Sequence, residues 1–102
     1  MSDWSDMKID QWFFDRSIVK NGTPMGQAIK TLEETTELID AINLGDEALI
    51  KDAVGDVYVT LRGVCLTAGI NFDDCVQQAY SDIEDRTGHL RKDGVFVKDD
   101  EY

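Results

Sequence analysis

Five acids in two short stretches stand out by type and spacing: Glu33, Glu34 and Glu37 in one, Asp52 and Asp56 in the other. On an α-helix, positions three and four apart share a face, so Glu34 with Glu37, Glu33 with Glu37, and Asp52 with Asp56 project together. Like charges at that spacing cost an isolated helix roughly 0.2–0.5 kcal/mol per pair, so the cluster needs open water around it or a cation within it. A hard divalent metal reverses the sign of the interaction, and Mg²⁺ suits carboxylates that share it with substrate phosphates. Gln27 and Lys30 fall with the acids, whereas Met25, Ala28, Ile29, Leu32, Ile39 and Ile42 form mainly a separate apolar stripe. The plain alternative is a solvated acidic face, the usual fate of three acids on one helix. Asp56 argues against it, because it lies in the apolar run Ala53-Val54-Gly55-Asp56-Val57-Tyr58-Val59, where a lone carboxylate is costly to bury. Gly55 costs a helix interior about 1 kcal/mol against Ala, which implies a close approach there by a neighbouring helix or a ligand.

The elements that must position these acids are helical. A first helix is expected over about residues 6–20, where Ile9, Trp12, Phe13, Ile18 and Val19 recur at helical spacing, before Asn21-Gly22-Thr23 breaks the pattern. Thr23 followed by Pro24 reads as an N-cap with proline at the first helical position, opening a second helix that runs to about Asn43. Asn43, Leu44 and Gly45 connect it to a third, capped by Asp46 and ended by Gly69. That third helix is apolar beyond its acidic first half, as suits the inside of a bundle or a subunit interface. Asn71 with Asp74 resembles a capping box for a fourth helix over residues 72–86, closed by Gly88. The turn signal Asp93-Gly94 and the run Val95-Phe96-Val97 then predict a short extended arm over about residues 89–102, ending in a frayed acidic tip.

A chain of 102 residues, 42% of them apolar, suffices for one domain spanning residues 1–102, with a helical core over about residues 6–88. No run approaches the length of a membrane span, and the start MSDWSDMK lacks the pattern of a secretion signal, so a cytoplasmic location and no membrane partner are expected. With 21 acidic against 10 basic residues the formal charge is −11, which opposes binding to a nucleic acid polymer. An anionic substrate then needs a metal or a local basic pocket. Cys65 and Cys75 are expected as buried thiols, and His89 as a surface residue. A ferritin-like di-iron site requires histidines that the helices lack, and no EF-hand loop is present.

The string Glu33-Glu34-Thr35-Thr36-Glu37 resembles the EExxE element of the MazG-like all-α nucleoside triphosphate pyrophosphohydrolases. Gly55-Asp56-Val57, nineteen residues after Glu37, is similar to the end of their ExxD element. The likeness extends to Gln27 and Lys30, to the run from Ala79 to Arg86 with Gly88, and to Gly94-Val95-Phe96-Val97-Lys98, an ending most like small phage or prophage relatives. The resemblance implies an all-α four-helix bundle with a short C-terminal arm, working as a homodimer or homotetramer. It implies hydrolysis of a nucleoside or deoxynucleoside triphosphate between the α and β phosphates, with Mg²⁺, or Mn²⁺ as a substitute, held by Glu34, Glu37, Asp52 and Asp56. Glu33 would be a second-metal ligand or the catalytic base that orients water, and Trp12, Gln27, Lys30 and Arg86 would bind substrate. Trp12 reads more often as core than as a base-stacking residue, and Lys30 and Arg86 read equally as surface charges. The implied role is nucleotide-pool housecleaning or its adjustment during phage growth. Two departures stand out: Ala53 occupies the place of the family's second acid, with Asp52 one residue away as its expected replacement, and Ser81, Glu84 and Asp85 stand where relatives carry Asn or Lys. Ala53 also supports the alternative, a catalytically weak helical module that binds nucleotides or a protein partner.

Overall fold

Local signals set the two longest helices where they were expected. The computed structural model describes residues 3–99. In it the Thr23 hydroxyl accepts a hydrogen bond from the Gly26 amide at 3.0 Å and Pro24 takes the first helical position. After α1 and α2, described below, the helix α3 runs Pro24–Leu44 and stops at Gly45, whose φ of 67° is a left-handed conformation that glycine adopts without strain. Asp46 then accepts from the Leu49 amide at 3.1 Å and starts α4, Glu47–Ala68, which ends at Gly69 with φ 69°. The two helices fold back on each other, pairing Gln27 with Gly63, Thr31 with Thr60 and Glu34 with Asp56, so that rising numbers on one meet falling numbers on the other. They are antiparallel.

The side of α3 turned to α4 is not the apolar stripe. Gln27, Thr31, Glu34 and Leu38 are half-buried and Ala41 is buried, whereas Met25, Ile29, Leu32, Ile39 and Ile42 are all exposed in the single chain. Small residues on both partners, Ala41, Ala53, Thr60 and Gly63, let the backbones approach closely and carry the seam.

The first expected helix is in fact two. α1, Trp4–Asp15, begins early because Asp3 and Asp6 form a reciprocal capping box. It ends where the amide of Ser17 turns back to the Phe14 carbonyl at 3.0 Å and Ser17 takes a φ of 59°, strained for a residue with a Cβ. A single turn, α2, Ile18–Asn21, follows. The bend brings α2 against α4, and Ile18 and Val19 on it are half-buried.

Two compact units, Met1–Phe72 and Asp73–Tyr102, divide the chain. α5, Phe72–Ile83, starts as expected but stops three residues short of Arg86. Gly88 does not close it. It opens β1, Gly88–Leu90, which pairs antiparallel with β2, Phe96–Lys98, in the register Gly88↔Lys98, His89↔Val97 and Leu90↔Phe96. A Cβ on Gly88 would stand 2.1 Å from the Val97 carbonyl oxygen, so only glycine fits that rung. Thr87 donates to the Asp99 carboxylate at 2.6 Å beneath the strands, and Gly94, with φ 86°, turns between them. The expected extended arm is therefore a hairpin; its acidic tip at residues 100–102 lies outside the described residues. Two smaller corrections follow. A Cβ on Gly55 would meet nothing within 4 Å, so no neighbouring helix presses there, and Cys75 is exposed while Cys65 is buried. No single helix among the described residues is long and apolar enough to cross a membrane.

Candidate functional site

The contact between Thr31 and Thr60 sets the site. Thr31 donates to Thr60 Oγ1 at 2.8 Å, and Thr60 donates in turn to the Val57 carbonyl at 2.8 Å. Glu34 lies one turn beyond Thr31 on α3 and Asp56 one turn before Thr60 on α4, so antiparallel packing brings them opposite each other. Glu37 is the next acid along α3. One carboxylate oxygen from each of Glu34, Glu37 and Asp56 falls within 4.8 Å of the others.

Charge and burial make this group costly without a cation. The Glu34 side chain is only 12% exposed, and its Oε2 is buried with no hydrogen-bond partner. Glu37 first and burial second push the Glu34 carboxyl above its ordinary range, with Lys30 countering. Burial first, then the charges of Asp52 and Glu34, push Asp56 up in the same way. An orphaned carboxylate oxygen inside a knot of three acids is a donor set for a hard divalent cation, and the residues fit one. Lys30 lies 3.2 Å from Glu33 and 3.7 Å from Glu34, and its pKa is raised, chiefly by its hydrogen bond to Glu33.

Beside the acids opens a cleft of about 580 Å³, in the range of small-molecule sites. Glu34, Asp56 and Lys30 line it together with the aromatic and apolar Trp12, Phe13 and Ile18, and with Gln27 and Thr60. Trp12 packs edge-on against Phe13, ring centroids 5.2 Å apart, and carries the Arg16 guanidinium over its face at 4.6 Å. The cleft thus joins cation-demanding carboxylates to aromatic rings.

Of the residues expected from sequence, Trp12, Gln27, Lys30, Glu34 and Asp56 line this one cleft, and Glu37 joins them through the acidic group. Glu33 is exposed, bonded to Lys30, and outside that group. Asp52 is outside it too: with Glu37, Asp40, Leu44 and Leu49 it lines a separate notch, so that Glu37 borders both. Ala53, in the place of the family's acid, is buried in the seam. Arg86 belongs to the second unit, beside Asp82, Asp85, Thr87 and Asp99.

Sequence reasoning overlooked Asp6, Asp10, Tyr58 and Arg62, which bond to one another between α1 and α4. A signal existed. Arg62 interrupts an apolar run, Val57-Tyr58-Val59-Thr60-Leu61, and an arginine so placed demands carboxylates from elsewhere.

The comparisons with known proteins place the chain in one family. The family model described as the MazG nucleotide pyrophosphohydrolase domain matches residues 25–91. Over 53 residues the chain is 40% identical to an uncharacterized 18.2 kDa protein of the rep–hol intergenic region of Haemophilus phage HP1, a match covering 52% of this chain and 32% of that protein. The chain therefore spans about a third of that relative's length. No solved structure matches it.

Proposed function

Because the chain belongs to the MazG nucleotide pyrophosphohydrolase family, we propose that it hydrolyses a nucleoside or deoxynucleoside triphosphate between the α and β phosphates, releasing the monophosphate and pyrophosphate. The observation that carries this reading is the convergence of Glu34, Glu37 and Asp56 at an aromatic-walled cleft of nucleotide size. A divalent cation, Mg²⁺ or Mn²⁺, held by these three carboxylates supplies phosphate charge neutralisation and a lowered pKa for the attacking water. Lys30 adds a positive charge at the cleft edge for the substrate phosphates, and Glu33, bonded to it, would be the base that orients water. Trp12 offers a face on which a base stacks, and Gln27 a side-chain amide for polar contacts. Asp52, which lines a notch with Glu37, would support the group as a neighbouring carboxylate. The exposed stripe of Met25, Ile29, Leu32 and Ile39 supports assembly with a second copy of the chain. Likeness to a phage protein supports a role in adjusting nucleotide pools during phage growth.

One observation favours the second reading, a weak or inactive nucleotide-binding or protein-interaction module. Ala53 replaces an acid with a buried methyl, leaving three gathered carboxylates. Incubating the pure protein with each common NTP and dNTP plus Mg²⁺ and scoring pyrophosphate separates the two. Release from at least one substrate is expected; none from any of them leaves the binding module.

A further inference from the structure

Arg62 has no part in the reaction just described, yet among the described residues it is the most buried charge, 4% exposed. Its Nε and Nη2 donate to the two oxygens of Asp10 at 2.9 and 2.8 Å, and Nη1 lies 3.4 Å from the Tyr58 hydroxyl and 3.7 Å from Asp6. Tyr58 donates to the other oxygen of Asp6 at 2.7 Å, and the Phe72 ring lies under the guanidinium at 5.0 Å. Asp6 and Asp10 are one helical turn apart on α1, as Tyr58 and Arg62 are on α4. Two rungs at matched spacing therefore join the helices, and a slip of α1 by one residue breaks both.

Apolar packing alone holds α1 loosely, since Asp6 and Phe13 are its only buried residues. Buried ion pairs are a poor source of net stability, because desolvation offsets their attraction; what bidentate bonds do supply is direction. Trp12 follows Asp10 by two residues and stands between the nucleotide cleft and an adjoining hollow, both of which reach Asp56. Phe13, its neighbour, seats on Gly63, the residue after Arg62, where an added Cβ would stand 2.8 Å from the ring.

We propose that the Asp6–Tyr58 and Asp10–Arg62 rungs are a positioning device that fixes the reach from Trp12 to the acidic group, and so set how tightly the nucleoside end of a triphosphate is held. This rests on the nucleotide reading above. The rungs act on binding of the nucleoside and leave the carboxylates of Glu34, Glu37 and Asp56 undisturbed.

The test is the triple substitution Asp10→Leu, Arg62→Met and Tyr58→Phe, which keeps the helices packed through apolar groups while deleting both rungs. It is made in a Trp4→Phe background, so that fluorescence reports Trp12. Expected are an unchanged or raised Tm, wild-type Mn²⁺ binding, a kcat within about twofold, and a rise of about tenfold both in KM and in the concentration of a non-hydrolysable triphosphate that half-quenches Trp12. A folded, Mn²⁺-binding triple variant with wild-type KM and quenching overturns the proposal. Should that variant not fold, Tyr58→Phe removes one rung at the cost of one oxygen, and the same split decides: a raised KM at constant kcat supports the device, and an unchanged KM overturns it. A wild-type protein that neither hydrolyses nor binds any triphosphate overturns the nucleotide reading and this proposal with it; one that does both, while the variants keep its KM, overturns this proposal alone.

Discussion

Asp56 and Glu34 hold their protons more tightly in the folded chain than out of it, and that fixes the sign of the pH response. An acid whose folded-state pKa is raised favours the native state fully below its unfolded value, and that advantage is lost as pH rises through the range up to the folded value. The metal-free protein thus loses stability as pH climbs from about 4 through the raised carboxyl range. Asp6 works the other way, its carboxyl lowered chiefly by the Tyr58 hydrogen bond, so its contribution is present above the ordinary carboxylate range and fades as pH falls through the lowered value. Metal binding requires the ionised ligands, so Mg²⁺ should add little to Tm near pH 4 and its full increment by neutral pH. Asp56→Asn isolates the cause: at pH 7.5 it should raise the Tm of the metal-free protein and abolish the Mg²⁺ increment. A metal-free variant less stable than wild type would refute the repulsion account. Glu37 and Asp52 divide by position. Glu37→Gln removes a member of the gathered group and should lower kcat/KM by about a hundredfold or more. Asp52→Asn alters the neighbouring notch and removes one like charge near Asp56 while leaving the three gathered carboxylates in place, and should cost about tenfold. Equal losses in steady-state assays would place Asp52 among the ligands.

At the scale of elements, Gly63 governs how closely three helices meet. A Cβ there would stand 2.5 Å from Gln27 Oε1 and 2.8 Å from the Phe13 ring, so Gly63→Ala should destabilise by about 1–3 kcal/mol in urea unfolding and distort the cleft. A neutral result would mean that α1 yields easily. Gly55, by contrast, is the glycine that sequence singled out, and it faces open space. The difference is one of range. The ends of α3 and α4 were legible because Thr23, Pro24, Gly45, Asp46 and Gly69 act on their own neighbours. The acidic triad followed because helix spacing and one antiparallel turn suffice to gather it. The bend at Ser17 carries no glycine or proline to announce it: a serine takes the left-handed conformation where the chain turns to lay α2 against α4. Nor did periodicity reveal which face of α3 turns inward, because the apolar stripe is the exposed one and the seam is built from Thr31, Ala41, Ala53 and Thr60.

That exposed stripe is the feature of the whole molecule that the single chain does not account for. Met25, Ile29, Leu32 and Ile39 repeat at helical spacing on α3 and are each more than half exposed. A contiguous apolar surface of this kind favours association, and the formal charge of −11 on each copy opposes it. Salt separates these terms, because the Debye length shrinks from about 10 Å at 0.1 M to about 3 Å at 1 M while apolar burial persists. Self-association measured by sedimentation equilibrium should therefore tighten as NaCl is raised from low to high concentration. Leu32→Glu puts a charge in the middle of the stripe and should leave a monomer of unchanged helix content by circular dichroism. Association that weakens with salt would point to a polar interface, and a Leu32→Glu protein that still dimerises would move the contact off α3, since no apolar stripe tolerates a carboxylate at its centre without losing several times the thermal energy.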